Sequence, residues 1–179
     1  MTEFYLRELG RQDVSTINEW RNDRRVIDCL GSPFRFVGEE VDGNWLNGYL
    51  ANRNNAVRLA ICEKSSGRLV GAVYLLSIDW LSRSCEFAIW IGENSYQGRG
   101  VGSFSTQEAL RHAFHDLNLN RVYLTVLEDN DRAVGLYRKV GFSVEGTLRQ
   151  AVFKNGAYRN MVQMSILAEE YRSVNGLET

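Results

Sequence analysis

The sequence predicts a mixed α/β (α+β) fold in which a single sheet carries helices between its strands. Three observations point there. Short runs rich in β-branched residues, such as Val57–Cys62 and Val122–Val126, alternate with stretches whose apolar residues recur at helical spacing. Two long strand-like runs, Phe142–Phe153 and Tyr158–Ile166, flank Asn155-Gly156, the dipeptide that suits a type I′ hairpin turn. Finally, 179 residues at 44% hydrophobic content suffice for one well-filled core but not for two ordinary domains.

Each element has a local reason. Phe4–Leu9 reads as a first strand, and Asp13 is placed to cap an amphipathic helix over Val14–Trp20 that continues toward Val26 and Leu30. Val41, Trp45, Leu46 and Tyr49 share one face of a second helix over Val41–Leu50. Val57–Cys62 and Leu69–Ile78 form a hairpin through Ser65-Ser66-Gly67, and Cys85–Ile91 adds a strand. The glycine-rich stretch Tyr96–Ser103, YQGRGVGS, opens a helix whose core stripe is Thr106, Leu110, Ala113, Phe114 and Leu117. After the alternating Val122, Leu124 and Val126 comes a helix bearing Ala133, Val134, Leu136, Tyr137 and Val140, stopped at Gly141 by a C′ glycine. One domain over 1–172 is expected, with a disordered tail at 173–179.

The composition excludes some function classes. A formal charge of −1 provides no global field for nucleic acid or anionic lipid, and no run approaches the ~20 apolar residues of a membrane span. Met1 precedes a polar, mixed-charge segment without the apolar region of a secretion signal, so a soluble protein of the cytoplasm is expected. Cys29, Cys62 and Cys85 are odd in number and lack the C-x-x-C spacing of a zinc or redox site; they read as buried thiols in a reducing compartment, with no metal.

The chemistry lies in the glycine loop. A strand entering bare backbone and then a helix brings unpaired N–H groups and the positive end of the helix dipole to one place, which makes an anion site. Gly102 is followed by Ser103-Phe104, so neither a P-loop, which ends in Gly-Lys-Ser/Thr, nor the G-x-G-x-x-G dinucleotide loop fits. What remains is Gln97-x-x-Gly100-x-Gly102, followed at one helix plus one strand by Asn130–Phe142, NDRAVGLYRKVGF.

Together these motifs resemble the GCN5-related N-acetyltransferase superfamily, whose loop reads Gln/Arg-x-x-Gly-x-Gly/Ala and whose second signature reads N-x-x-A-x-x-L-Y-x-K-x-G-F. The resemblance covers most of residues 57 to 167, and more loosely, through EWRND near Trp20, extends to the branch of ribosomal-protein N-terminal, spermidine and some amino-sugar acetyltransferases. It implies a mostly antiparallel sheet splayed at the coenzyme-binding strand, acetyl-CoA as cosubstrate, and a primary amine as acceptor: a polyamine or peptide N-terminal amine ahead of an amino sugar. Related proteins commonly form a homodimer. A coenzyme-binding module without turnover is the competing reading.

The resemblance assigns roles to particular positions. Main-chain N–H groups of Gln97, Gly98, Arg99, Gly100, Val101, Gly102 and Ser103 would take the pyrophosphate, with the Arg99 side chain adding a charged contact. Ile89 and Ile91 lie on the strand that would pair with the pantetheine arm. Tyr137 would donate a proton to the leaving thiolate; phenols titrate near ~10 and thiols near ~8.5, so the donor is protonated at neutral pH. It also fits as a core tyrosine. Asn130 is both a helix cap and a candidate coenzyme contact. Glu86, the lone charge of an apolar strand, reads as a desolvated general base or as a glutamate satisfying buried groups. His112 and His115 read as solvent-facing, with no evident carboxylate partner. Gly135 costs its helix about 1 kcal/mol relative to alanine and leaves room for close approach of coenzyme or strand. For the acceptor, Trp20, Arg21, Trp45, Trp80, Tyr158 and Arg159 supply aromatic and cationic groups, and Asp28, Glu39, Glu40 and Asp42 negative ones; the choice between them stays open.

Overall fold

A computed structural model of the chain describes residues 3–176. Its strands are β1 (Phe4–Glu8), β2 (Val57–Glu63), β3 (Leu69–Asp79), β4 (Ser84–Ile91), β5 (Arg121–Leu127), β6 (Ser143–Lys154) and β7 (Ala157–Leu167). They form a seven-stranded sheet in the order β1-β2-β3-β4-β5-β7-β6. Every pairing is antiparallel except β4 with β5.

Period-two alternation sorts the strand residues onto two faces. In β3, Val73 and Leu75 join the core that holds Leu110, Val134 and Tyr137, whereas Ala72 and Tyr74 join the core that holds Ile17, Leu46 and Tyr49. The first face is covered by α4 (Val101–Arg111) and α5 (Asp131–Val140), the second by α1 (Val14–Arg21), the short α2 (Arg24–Ile27) and α3 (Glu39–Ala51).

Several local details differ from expectation. Asp13 precedes α1 without capping it: its buried carboxylate accepts the Gly10 N–H at 2.9 Å and binds Arg7 through two contacts of 2.7 Å. The helix expected to run on from Trp20 stops at Arg21, and Asp23 starts α2 by accepting the Arg25 N–H. Val41 is 58% exposed; the inner face of α3 is Asp42, Leu46 and Tyr49, because Asp42 is drawn in to meet Arg21 and Asn18. Past Arg111 the chain widens into a π turn over His112–Asp116, where His112 Nδ1 lies 2.8 Å from Asp116 Oδ2 and holds that carboxyl below its ordinary pKa, so His112 does have a carboxylate partner. Cys62 and Cys85 are buried, but Cys29 is exposed. The chain continues past Leu167 as a helix, α6 (Ala168–Asn175), which covers the start of the expected tail; the remainder of that segment, 177–179, lies outside the described residues.

Candidate active site

The parallel contact between β4 and β5 is short. It spans Ser84–Arg121, Cys85–Val122 and Glu86–Tyr123, and then the strands part. Beyond Glu86, β4 stays paired to β3 through Ile91, while β5 follows β7. The sheet therefore opens as a V whose apex is Glu86, leaving the β5-side backbone groups of 87–91 without a strand partner. A continuous cavity of about 1040 Å³ occupies the V and reaches both faces, lined by Glu86, Phe87, Ile89 and Ile91 of β4 and by Thr125 and Val126 of β5.

At one end the cavity meets the glycine loop. Gly98 and Gly100 have φ of +81° and +80°, left-handed values that suit glycine, and a Cβ on either would face open space. The turn consumes two of the loop's amides, Gln97 N–H to Asn94 O (3.1 Å) and Arg99 N–H to Tyr96 O (3.3 Å). This corrects the expectation that every amide from 97 onward faces a ligand. Among the described residues no acceptor meets the amides of Gly98, Gly100, Val101, Gly102 and Ser103, and the first intrahelical bond is Phe104 N–H to Gly100 O at 2.9 Å. These five surround the cavity end at the positive pole of α4.

The Arg99 side chain does not join them. Its guanidinium turns to Glu3 (2.9 Å) and Glu63 (3.5 Å) and lies 4.6 Å from the Tyr96 ring centre, and it does not line the cavity. Arg132 takes that place. Sequence reasoning passed over it as an unspecified position of the second motif, yet it lines the cavity, with Nη1 donating to Gln97 Oε1 at 2.6 Å while Gln97 Nε2 donates to Asn94. Asn130 caps α5 by accepting the Ala133 N–H at 3.1 Å and donates through Nδ2 to the Cys29 carbonyl at 3.1 Å. Gly135 faces open space, with nothing within 4 Å of where a Cβ would stand, so no close approach accounts for it.

Tyr137 reaches the cavity from the α4/α5 face. Its ring packs edge-on against Phe87 and beside Phe142, and no hydrogen bond within the described chain engages its hydroxyl. Burial alone pushes its pKa up to about 12. Glu86 alternates with Phe87 and so approaches from the opposite face, together with Ala88 and Trp90. It is half-buried rather than enclosed, and it is the sole carboxylate among the described residues lining the cavity.

The far end lies under the segment 28–38. Five side chains pin that segment and its start: Lys154 Nζ donates to the carbonyls of Ile27 (2.6 Å) and Ser32 (2.9 Å), Asn155 donates to Asp28 (3.0 Å), Asn130 donates to Cys29, and Asn18 and Asn22 both donate to the Val37 carbonyl. Of the proposed acceptor groups only Arg21 and Trp45 line the cavity. Trp20 is buried against Trp90, the Trp80 indole donates to Asn54 O, Tyr158 meets Phe153 edge-on, and Arg159 lies by Asp129. Asp28, Glu39, Glu40 and Asp42 are likewise absent from the wall. Arg58, Arg35 and Tyr74 are present there and were not anticipated. Arg58 carries the same sequence signal as Glu86, a lone charge within an apolar strand.

Comparisons with known proteins bear on the family and the fold. The family model described as the acetyltransferase (GNAT) domain matches residues 3–143. The chain is 32% identical over 167 residues to the spermidine N(1)-acetyltransferase of Escherichia coli K12, covering 93% of this chain and 87% of that one. It is 33% identical over 171 residues to the Vibrio cholerae spermidine N(1)-acetyltransferase, covering 95% and 96%. The crystal structure of Vibrio cholerae spermidine N-acetyltransferase with CoA and spermine superposes with a TM-score of 0.88 at 31% identity, covering 94% of this chain and 98% of that one.

Proposed function

Since the chain belongs to the GNAT acetyltransferase family, and is an N-acetyltransferase that moves acetyl from acetyl-CoA to a primary amine, we propose that Glu86 and Tyr137 are its acid–base pair. The observation that carries this is the V at Glu86. It places a carboxylate and an unengaged phenol on opposite walls of one cavity whose end is ringed by free amides.

The residues fit the coenzyme. The amides of Gly98, Gly100, Val101, Gly102 and Ser103 suit a diphosphate, Arg132 adds a guanidinium beside them, and the unpaired edge of Phe87–Ile91 suits an extended amide-bearing arm. Asn130, already spent on its cap and on Cys29, holds the cavity wall in place. When bound, acetyl-CoA supplies an acetyl thioester, so that transfer forms a C–N bond, breaks the C–S bond and frees the thiol.

Glu86 accepts the proton that the incoming ammonium must shed, directly or through water. Tyr137 hands its phenolic proton to the leaving sulfur and regains one from solvent. An ammonium loses two protons on becoming an amide N–H: one leaves through Glu86, and the other balances the proton donated by Tyr137.

The named substrates of the relatives support a polyamine as acceptor, and a peptide N-terminal amine is the second class. The three free cysteines support a reducing cytoplasm, and the exposed edge strand β6 supports pairing of two copies. The test is thiol release from acetyl-CoA with spermidine, short peptides with free N-termini and amino sugars. Release with at least one amine is expected; none with any amine would reduce the protein to a coenzyme-binding module.

A further inference from the structure

We infer that the acceptor carries an anionic group, a carboxylate or a phosphate, besides its primary amine, and that Arg58 recognises that group. This rests on the acetyl transfer proposed above, since it takes the amine to lie at Glu86, but it sets the polyamine aside in favour of an amine that also bears an anion, as a peptide with a free N-terminus does through its C-terminal carboxylate.

Register places the two residues on one surface. Arg58 pairs with Tyr74, and Tyr74 with Ala88, two residues beyond Glu86 on the same face of β4. Two strand spacings and two residue rises put the Cα atoms of Arg58 and Glu86 roughly 12 Å apart. Both side chains line the cavity. A molecule with an amine at one end and an anion a few bonds away spans such a gap.

Arg58 is built as a receptor, with no counter-charge supplied to it among the described residues. Its guanidinium carbon lies 4.8 Å from the ring centre of Trp45, 5.0 Å from that of Tyr74 and 5.5 Å from that of Tyr49. Tyr49 is itself fixed, accepting the Arg58 backbone N–H and donating to Glu8. The three rings surround the cation, and no acceptor among the described residues takes its side-chain N–H groups. Its Nε is buried without a hydrogen-bond partner, and among the described residues no carboxylate pairs with it. Burial accordingly lowers its pKa. A desolvated guanidinium with an unmet donor is costly unless a ligand completes it, and a carboxylate or phosphate does so with two parallel hydrogen bonds.

The neighbouring charges point the same way. Arg21 is neutralised by the buried Asp42 and Arg25 by Asp23, while Arg35, exposed at the cavity mouth, has no carboxylate beside it among the described residues. With Glu86 occupied by the reacting ammonium, this end offers a second cationic group no carboxylate and two unpaired guanidinium groups. An anion meets the reverse.

Matched acceptors test the inference and separate its two chemistries. Alanyl-alanine is compared with its C-terminal amide, glucosamine 6-phosphate with glucosamine, and spermidine is run beside them, all by thiol release. In at least one pair the anionic member is expected to exceed its neutral counterpart in kcat/KM by about tenfold or more. Arg58→Met should bring that ratio close to one, and Arg58→Lys, which keeps the charge but loses the fork, should restore only part of it. Acetyl-CoA affinity measured on each variant verifies folding. Equal rates within both pairs, spermidine outrunning both anionic members, or a ratio untouched by Arg58→Met would overturn the inference. Absence of thiol release with every amine would instead remove the reading on which it rests.

Discussion

The Tyr137 ring meets Phe87 edge-on, with centroids 6.1 Å apart and planes at 82°. The contact ties the second motif to the strand that bears Glu86, and it positions the phenol by ring packing rather than by a hydrogen bond. Removing the hydroxyl therefore leaves the anchor intact. Tyr137→Phe is expected to lower kcat about 100-fold while altering stability by less than about 1 kcal/mol and leaving acetyl-CoA affinity unchanged. Stopped thiol release with a normal melting curve verifies this; full turnover in the variant would remove Tyr137 from the mechanism.

Glu86 stands at the last β4–β5 pairing, opposite Tyr123, whose pKa is raised first by burial and then by the Glu86 charge. Glu86→Gln keeps the shape and removes the proton acceptor. The rate of the wild-type protein should climb with pH until the acceptor amine is deprotonated, and the variant should lose about tenfold to 100-fold in kcat/KM with an altered pH dependence. Superimposable pH profiles would make Glu86 a structural residue.

Three buried acids are held neutral by desolvation: Cys85, Tyr74 and Tyr137, each with a pKa near 12 in the folded chain. Unfolded, a thiol ionises near ~8.5 and a phenol near ~10. The folded state thus binds more protons, and the stability these groups contribute is complete below the unfolded values and is lost as pH rises toward 12. Melting temperature should fall steadily from pH 9 to 11.5, with a smaller fall in Tyr137→Phe. A flat profile would contradict the burial of these groups.

Gly100 joins the cradle to α4 at φ +80°. Gly100→Ala should cost about 1 kcal/mol or more in backbone strain and weaken acetyl-CoA binding several-fold by shifting the amides. Isothermal titration of both proteins measures the difference, and equal affinity would argue against the cradle.

Lys154 holds the segment 28–38 through two carbonyls 122 and 127 residues away in sequence. Lys154→Met retains the buried stem but strands both carbonyls, at a cost of about 1–3 kcal/mol. Acceptor KM should rise while acetyl-CoA affinity holds. A rise in both, or in neither, would mean that the segment does not shape the acceptor end.

Local chemistry by itself determined a good deal of this protein. The alternation in β3 and β5, the Asn155-Gly156 turn, the Gly141 stop and the glycine loop leading into α4 each follow from short-range rules, while the resemblance of the two motifs singled out Gly98, Gly100 and Tyr137, and its lone charge singled out Glu86; all four line the cavity. What only the tertiary structure decided depends on partners distant in the chain. Arg99 turns away because Glu3 and Glu63 lie beside it, and Arg132 takes its place through Gln97. Lys154 reaches across to residues 27 and 32, and Arg58 acquires its aromatic enclosure from α3 and β3. A side chain's charge is written in the sequence, but its neutralisation is a property of packing, because ion pairs and desolvation depend on distances that folding alone sets.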